Sequence, residues 1–266
     1  MRQRGKILLV DLIRAFCSWR FFVALAAGTA VCFLTLKAAG YDRYGDKDAV
    51  YAWLLLHDKS ISMLSYLVGT MPYALCFYWD FRRGNYKNML FRTSVNVYVV
   101  SKAMSAFCAA FLAFLGGKLL FVFLFTLKYP FLSGEETLIN MGASYQLFYG
   151  FLDNEQYWCY FLASASLKAL YCGILCLCVM LASLVISGAF MLYSIPIAVF
   201  YVVNFYLRKL FADTLFLDFM VVFDGNTRIF ASEKMGILYA VLTAAVLFAV
   251  LSRGMCGLMR RRIYHG

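Results

Sequence analysis

Residues 95–127 read VNVYVVSKAMSAFCAAFLAFLGGKLLFVFLFTL, and Lys102 and Lys118 are their only charges. An α-helix rises 1.5 Å per residue, so about twenty apolar residues cross a hydrocarbon core of roughly 30 Å. This run is long enough to cross and to project beyond. Working outward from it, further apolar runs fall near residues 21–36, 61–79, 158–186, 189–207 and 236–252. The expectation is an all-α polytopic membrane protein, one transmembrane domain over 1–266 with six transmembrane helices. Only Ser187-Gly188 separates the fourth run from the fifth. A single helix through both would be about 75 Å long, more than twice the core, so two spans joined by a tight turn are expected.

Composition agrees. Of 266 residues, 64% are hydrophobic and 15% charged, with a mean hydropathy of +0.75, more apolar surface than one soluble core hides. Three prolines and dispersed glycines leave no low-complexity linker. Cys32, Cys76, Cys108, Cys172, Cys176 and Cys178 lie within apolar runs and read as packing residues. The spacing of the last three, without a nearby histidine or acid, does not suit tetrahedral zinc.

A net charge of +11 suggests nucleic acid only if it is gathered into a patch, and here it is sorted by side. With both termini in the cytosol, the segments around residues 2–20, 82–92 and 253–262 place thirteen lysines and arginines there against two acids, Asp11 and Asp80. The other side holds nine basic residues and twelve acids. The positive-inside rule thus orients the chain in the plasma (inner) membrane with N- and C-termini cytoplasmic. The charged start runs into a full-length span, so no cleaved signal peptide is expected.

Projected at 100° per residue, residues 6–20 are expected to form an amphipathic helix, lying in the interface or else extending the first span inward. Leu8, Leu9, Leu12, Ile13, Phe16 and Trp19 share one side, with Asp11, Arg14 and Ser18 opposite. The most polar cytosolic connector, residues 80–94, mixes Asp80, Arg82, Arg83, Gly84, Tyr86, Lys87 and Arg92 with Met89 and Phe91, a composition that protein interfaces favour. Pro72 and Pro196 predict kinks in the second and fifth spans. Ala106, Ala110, Ala113 and Gly117 allow close helix contact.

Three lysines lie within spans, where charge marks function by default. Lys102 is expected to reach the inner interface and Lys118 the outer headgroups. Lys168 either reaches an interface in the same way or takes part in a pathway or subunit interface. The outer segment 208–235 is too apolar for a free loop and too broken for a span. It is expected either to dip into the outer leaflet as short re-entrant helices, with Phe216 and Phe219 beside the pathway or interface, or to lie on the surface as an amphipathic hairpin without gating duty.

An acid closing the second span (Asp80), a glycine four residues later, a basic-apolar stretch, Arg92-Thr93-Ser94, then a tyrosine and Lys102, resemble the membrane subunits of type-2 ABC exporters. The opening Lys6-Ile7-Leu8-Leu9-Val10-Asp11-Leu12-Ile13-Arg14-Ala15-Phe16 is similar to that family's amphipathic start, with Asp11 in place of its usual glutamate. In texture the chain is nearest to the permeases of bacitracin- and lantibiotic-type efflux and immunity systems. The resemblance implies a permease subunit that moves a peptide-like or amphipathic substrate outward. It also implies a second permease subunit, like or unlike, and separate ABC ATPase subunits carrying ATP and Mg, which dock on residues 80–94. The chain itself is expected to bind no cofactor. Gly116-Gly117-Lys118-Leu119 lacks the upstream glycine and following Ser or Thr of a phosphate loop. No His-Glu-x-x-His or Gly-x-Ser-Gly occurs, and there are only two histidines, His57 and His265, so an enzyme is disfavoured. A non-transporting membrane immunity or assembly partner is the alternative that fits the same composition.

Overall fold

The computed structural model describes residues 2–41, 47–58, 63–91, 93–133, 147–186, 188–207, 209, 219–224 and 232–265, and all regular structure among them is helical. Four helices are long and apolar enough to cross a membrane: α2 (Trp19–Ala38), α7 (Val95–Thr126), α9 (Tyr157–Ser183), which follows the short α8 (Tyr149–Asp153), and the last, α12 (Glu233–His265). The expected six are present in part, and the reasons are local.

Where a second continuous span was expected over 61–79, the chain forms α4 (Met63–Thr70), a turn over 71–75, and α5 (Cys76–Arg82). Pro72 has no N–H to donate and its ring obstructs the preceding turn, so the expected kink is a complete interruption. Pro72, Ala74 and Leu75 are buried, which suits irregular backbone packed against protein. The fifth run is α10 (Ala189–Tyr201), which passes through Pro196 and continues as a π-helical segment, Val202–Leu207. The break between the fourth and fifth runs lies where the sequence placed it: α9 ends at Ser183 and α10 starts after Gly188.

α9 is the axis of the bundle. Its apolar window is 72% buried, against 22–44% in the other three long helices, and α7, α12, α10 and α4 surround it. Small residues permit this crowding. A Cβ on Gly173 would fall 2.6 Å from the Phe107 ring, and one on Gly69 of α4 would fall 2.7 Å from Cys172 Sγ. The stripe Ala106, Ala110, Ala113, Gly117 is buried within the chain. At its end Gly117 meets Gly28 of α2, and Thr29 Oγ1 donates to the Gly117 carbonyl at 3.0 Å.

One end of the bundle is closed by a helix the sequence reading passed over, α3 (Ala49–Asp58). Its Val50, Ala52, Trp53 and Leu56 are buried, and Trp53 Nε1 donates to Ser164 of α9 at 3.3 Å. Asp48 precedes it and accepts from the Tyr51 N–H and from Ser133 N and Oγ at 3.2 and 3.0 Å, capping the helix and binding the connector after α7. Tyr41 donates to the Asp48 carbonyl at 2.9 Å, and burial, aided by Asp48, pushes its phenol far above the usual value, so it remains a donor. At the other end α12 continues well beyond the expected stop at 252, because Met255 and Met259 still face inward.

Candidate functional site

α1 (Arg2–Phe16) turns Asp11 and Ala15 inward, while Arg14 on the expected polar side is exposed. Asp11 is fully buried, while Leu9, Val10, Ile13 and Trp19 beyond it are 57%, 45%, 51% and 70% exposed. In water this arrangement would be inside out; beside lipid the exposed apolar face is the favourable one. The expected split into an apolar and a polar side holds only in part, since Asp11 points into the protein while Arg14 stays exposed.

What Asp11 meets is Lys102. The ammonium lies 3.1 Å from Asp11 Oδ1 and 3.3 Å from Asp80 Oδ2, and donates to the Tyr73 hydroxyl at 3.1 Å. Ser101 donates to Asp11 Oδ2 at 2.9 Å and Tyr98 to Asp80 Oδ2 at 2.7 Å. One cation, two carboxylates and three hydroxyls therefore tie α1, the 71–75 turn, α5 and α7 at one point, and each carboxylate accepts from a hydroxyl as well as pairing with the lysine. Lys102 does not extend to the interface as expected; it is buried. The sequence carried the signal: Asp11 and Asp80 are the only acids assigned to an end with thirteen basic residues, and both partner this lysine. The 71–75 interruption also has a consequence here, since it turns the Tyr73 hydroxyl toward Lys102.

Beyond Asp80 the connector is ordered as a helix-turn-helix. α5 closes at Arg82, Gly84 turns at φ +70°, and α6 (Asn85–Leu90) follows. An αL turn favours glycine, since other residues carry a Cβ penalty there. Of the residues expected to dock a partner, Arg82, Arg83 and Lys87 are exposed and Tyr86 is half-buried, its ring 4.6 Å from Phe81. Asp80 is turned away from that surface, into the ionic cluster. Arg92 lies outside the described residues. Arg82 donates to the Tyr78 hydroxyl at 3.0 Å, and Arg83 sits 5.4 Å from the Trp79 ring centre. The tail of α12 joins this surface: Arg262 lies 4.4 Å over Phe81 and donates to the Leu184 carbonyl at 2.8 Å, and Arg260 donates to Asn96 at 2.9 Å. Tyr78, Phe81, Arg82, Tyr86 and Arg262 thus rim an open cavity of about 570 Å³.

Of the other two lysines in long helices, Lys118 departs from its expected reach to the outer headgroups, and Lys168 is paired within the protein rather than extended to an interface, the first of its two expected readings. Lys168 is buried on α9 and pairs with Asp224 Oδ1 at 2.9 Å, from α11 (Phe219–Asp224) in the outer segment. Lys118 is buried too, 5.9 Å from the Trp53 ring centre and 5.7 Å from that of Phe114. Phe216 lies outside the described residues, as do residues 210–218 and 225–231 of the expected re-entrant segment. Phe219 begins α11, and its side chain is not among those described. Cys172 and Cys176 line α9 with their thiols 3.8 and 3.9 Å from the carbonyls of Tyr66 and Thr70, as packing residues would.

No family model matches the chain, and no curated protein or solved structure is significantly similar to it. What the chain belongs to as shown by its own structure is the class of all-helical proteins with four helices suited to a bilayer.

Proposed function

We propose that this chain is the permease subunit of an ATP-driven ABC exporter, embedded by six crossings with both termini cytoplasmic. In this reading the broken α4–α5 segment and α10 with its π-helical continuation supply the second and fifth crossings. A second permease subunit completes the pathway, and separate ATPase subunits dock on residues 80–94. The cargo class is amphipathic or peptide-like.

One observation carries the reading. The exposed basic helix-turn-helix at Arg82, Arg83, Gly84 and Lys87 is rooted at Asp80, and Asp80 is ion-paired to the longest span's Lys102, which also holds α1 through Asp11. Displacement of that connector by a motor would pass into α7 and α1 together rather than dissipate in a slack loop. Buried ion pairs suit this because separating them is costly. Residues 82–91 and the Arg262 tail form one surface, so a docked partner would engage both.

The test is co-expression with candidate ABC ATPases from the same genome, an adjacent one first where there is one. Arg83→Glu reverses charge on the docking face, and Gly84→Pro forces the αL turn out of its φ. Each is expected to lower both co-purified ATPase and export at least about tenfold, the loss of some 1.4 kcal/mol of coupling. If both variants keep association and export, residues 80–94 are not the coupling element. If the wild-type chain purifies with no ATPase at all, the immunity or assembly reading takes its place.

A further inference from the structure

Beside the ionic cluster, where α1 and the start of α2 face the 71–75 turn and α5, lies a cavity of about 250 Å³. Three arginines converge on it, Arg14, Arg20 and Arg83, with Lys102 at its base. All three are exposed, and among the described residues none forms a salt bridge, although Lys102 is neutralised by Asp11 and Asp80. The cavity is therefore cationic in excess. Met71, Pro72 and Leu75 make part of the remaining wall apolar, and Tyr73, Cys76, Trp79, Asn85 and the Lys102-paired Asp80 complete it. Next to it the exposed Leu9, Val10, Ile13 and Trp19 form a surface suited to acyl chains.

We infer that this cavity binds the headgroup of an anionic phospholipid. Its phosphate would be held by Arg14, Arg20 and Arg83, and its acyl chains would lie along the exposed apolar face of α1. Guanidinium forks match phosphate oxygens in pairs, and a basic pocket between helices at the cytoplasmic headgroup level favours an anionic lipid over a zwitterionic one. The apolar flank separates a lipid from a free phosphate, because only an amphiphile uses both surfaces. A lipid seated there would brace α1 against α5 directly over the Lys102 cluster. The inference needs the chain to be in a membrane but does not rest on the exporter reading, and Arg14 and Arg20 lie outside residues 80–94, so each fails separately.

The test uses the purified full chain in detergent, with phosphatidylglycerol, phosphatidylcholine or inorganic phosphate added. Bound lipid is counted by native mass spectrometry and stability is followed by thermal melting. Phosphatidylglycerol is expected to be retained and to raise the melting temperature, and the other two are not. Arg14→Gln with Arg20→Gln should weaken phosphatidylglycerol binding about tenfold or more, whereas the charge-matched Arg253→Gln with Arg261→Gln, exposed on α12, should change it less than about twofold. Should the first pair fail to fold, Arg14→Lys with Arg20→Lys, which keeps the charge and loses the fork, is expected to weaken binding partially. Equal losses in both glutamine pairs, no loss from the cavity variants, or stabilisation by phosphate alone would overturn the inference.

Discussion

Lys102 is the residue on which the basic end of the bundle closes. Its side chain is 4% exposed and its partners Asp11 and Asp80 are 1% and 19% exposed, so the charges are mutually dependent. Lys102→Met should therefore do more than remove a contact; it leaves two carboxylates near one another in a dry setting. A cost of about 3–5 kcal/mol is expected. Adding Asp11→Asn and Asp80→Asn to that variant should recover most of the loss, because neutral amides no longer repel. Thermal melting in detergent reads both, and a Lys102→Met variant as stable as the native chain would show the cluster to be dispensable. Each member of the cluster was visible in the sequence, but their convergence was not. Hydropathy treats a lysine near a span end as one that reaches for water, and the moment of α1 is blind to whether its polar stripe meets solvent or protein.

At the scale of elements, the long uniform helices were legible because period and length speak for themselves. Expected bounds of 21–36, 95–127 and 158–186 differ by a few residues from α2, α7 and α9. Hydropathy reads the second run as one span kinked at Pro72, whereas the bond between Lys102 and the Tyr73 hydroxyl goes with a full break there. α3 is not legible in a search for spans because its ten residues are too few to cross a membrane. Packing between elements leads to a paired prediction. At Gly69 an added Cβ would lie 2.7 Å from Cys172 Sγ and 3.2 Å from Phe114 Cβ, so Gly69→Ala should destabilise by about 1–3 kcal/mol, and Cys172→Ala in addition should recover part of this. Gly257 of α12 has nothing within 4 Å of such a Cβ, so Gly257→Ala should stabilise by up to about 1 kcal/mol through helix propensity alone. Melting curves of the variants decide; a Gly69→Ala chain as stable as the native one would mean α4 is not held against α9 as described.

At the scale of the whole molecule, the contacts group the connectors as the charge rule does. Arg262 with Phe81 and Leu184, and Arg260 with Asn96, gather the expected cytoplasmic segments at one end. Tyr41, Asp48 and Ser133 join two expected outer connectors at the other. In the proposed six-crossing reading this grouping follows from the broken α4–α5 segment serving as a crossing between α2 and α7, beyond the four helices long enough to span by themselves. The orientation in the cell then turns on labelling. In a chain with the exposed Cys17 and Cys159 replaced by serine, Lys128→Cys, exposed just after α7, should react with a membrane-impermeant thiol reagent on intact cells. Lys87→Cys, exposed on α6, should react only after permeabilisation. Reaction at Lys87→Cys in intact cells would put the basic connector outside, beyond the reach of any cytoplasmic ATPase. The coupling role would then be lost, whereas Lys102 would still join α1, α5 and α7.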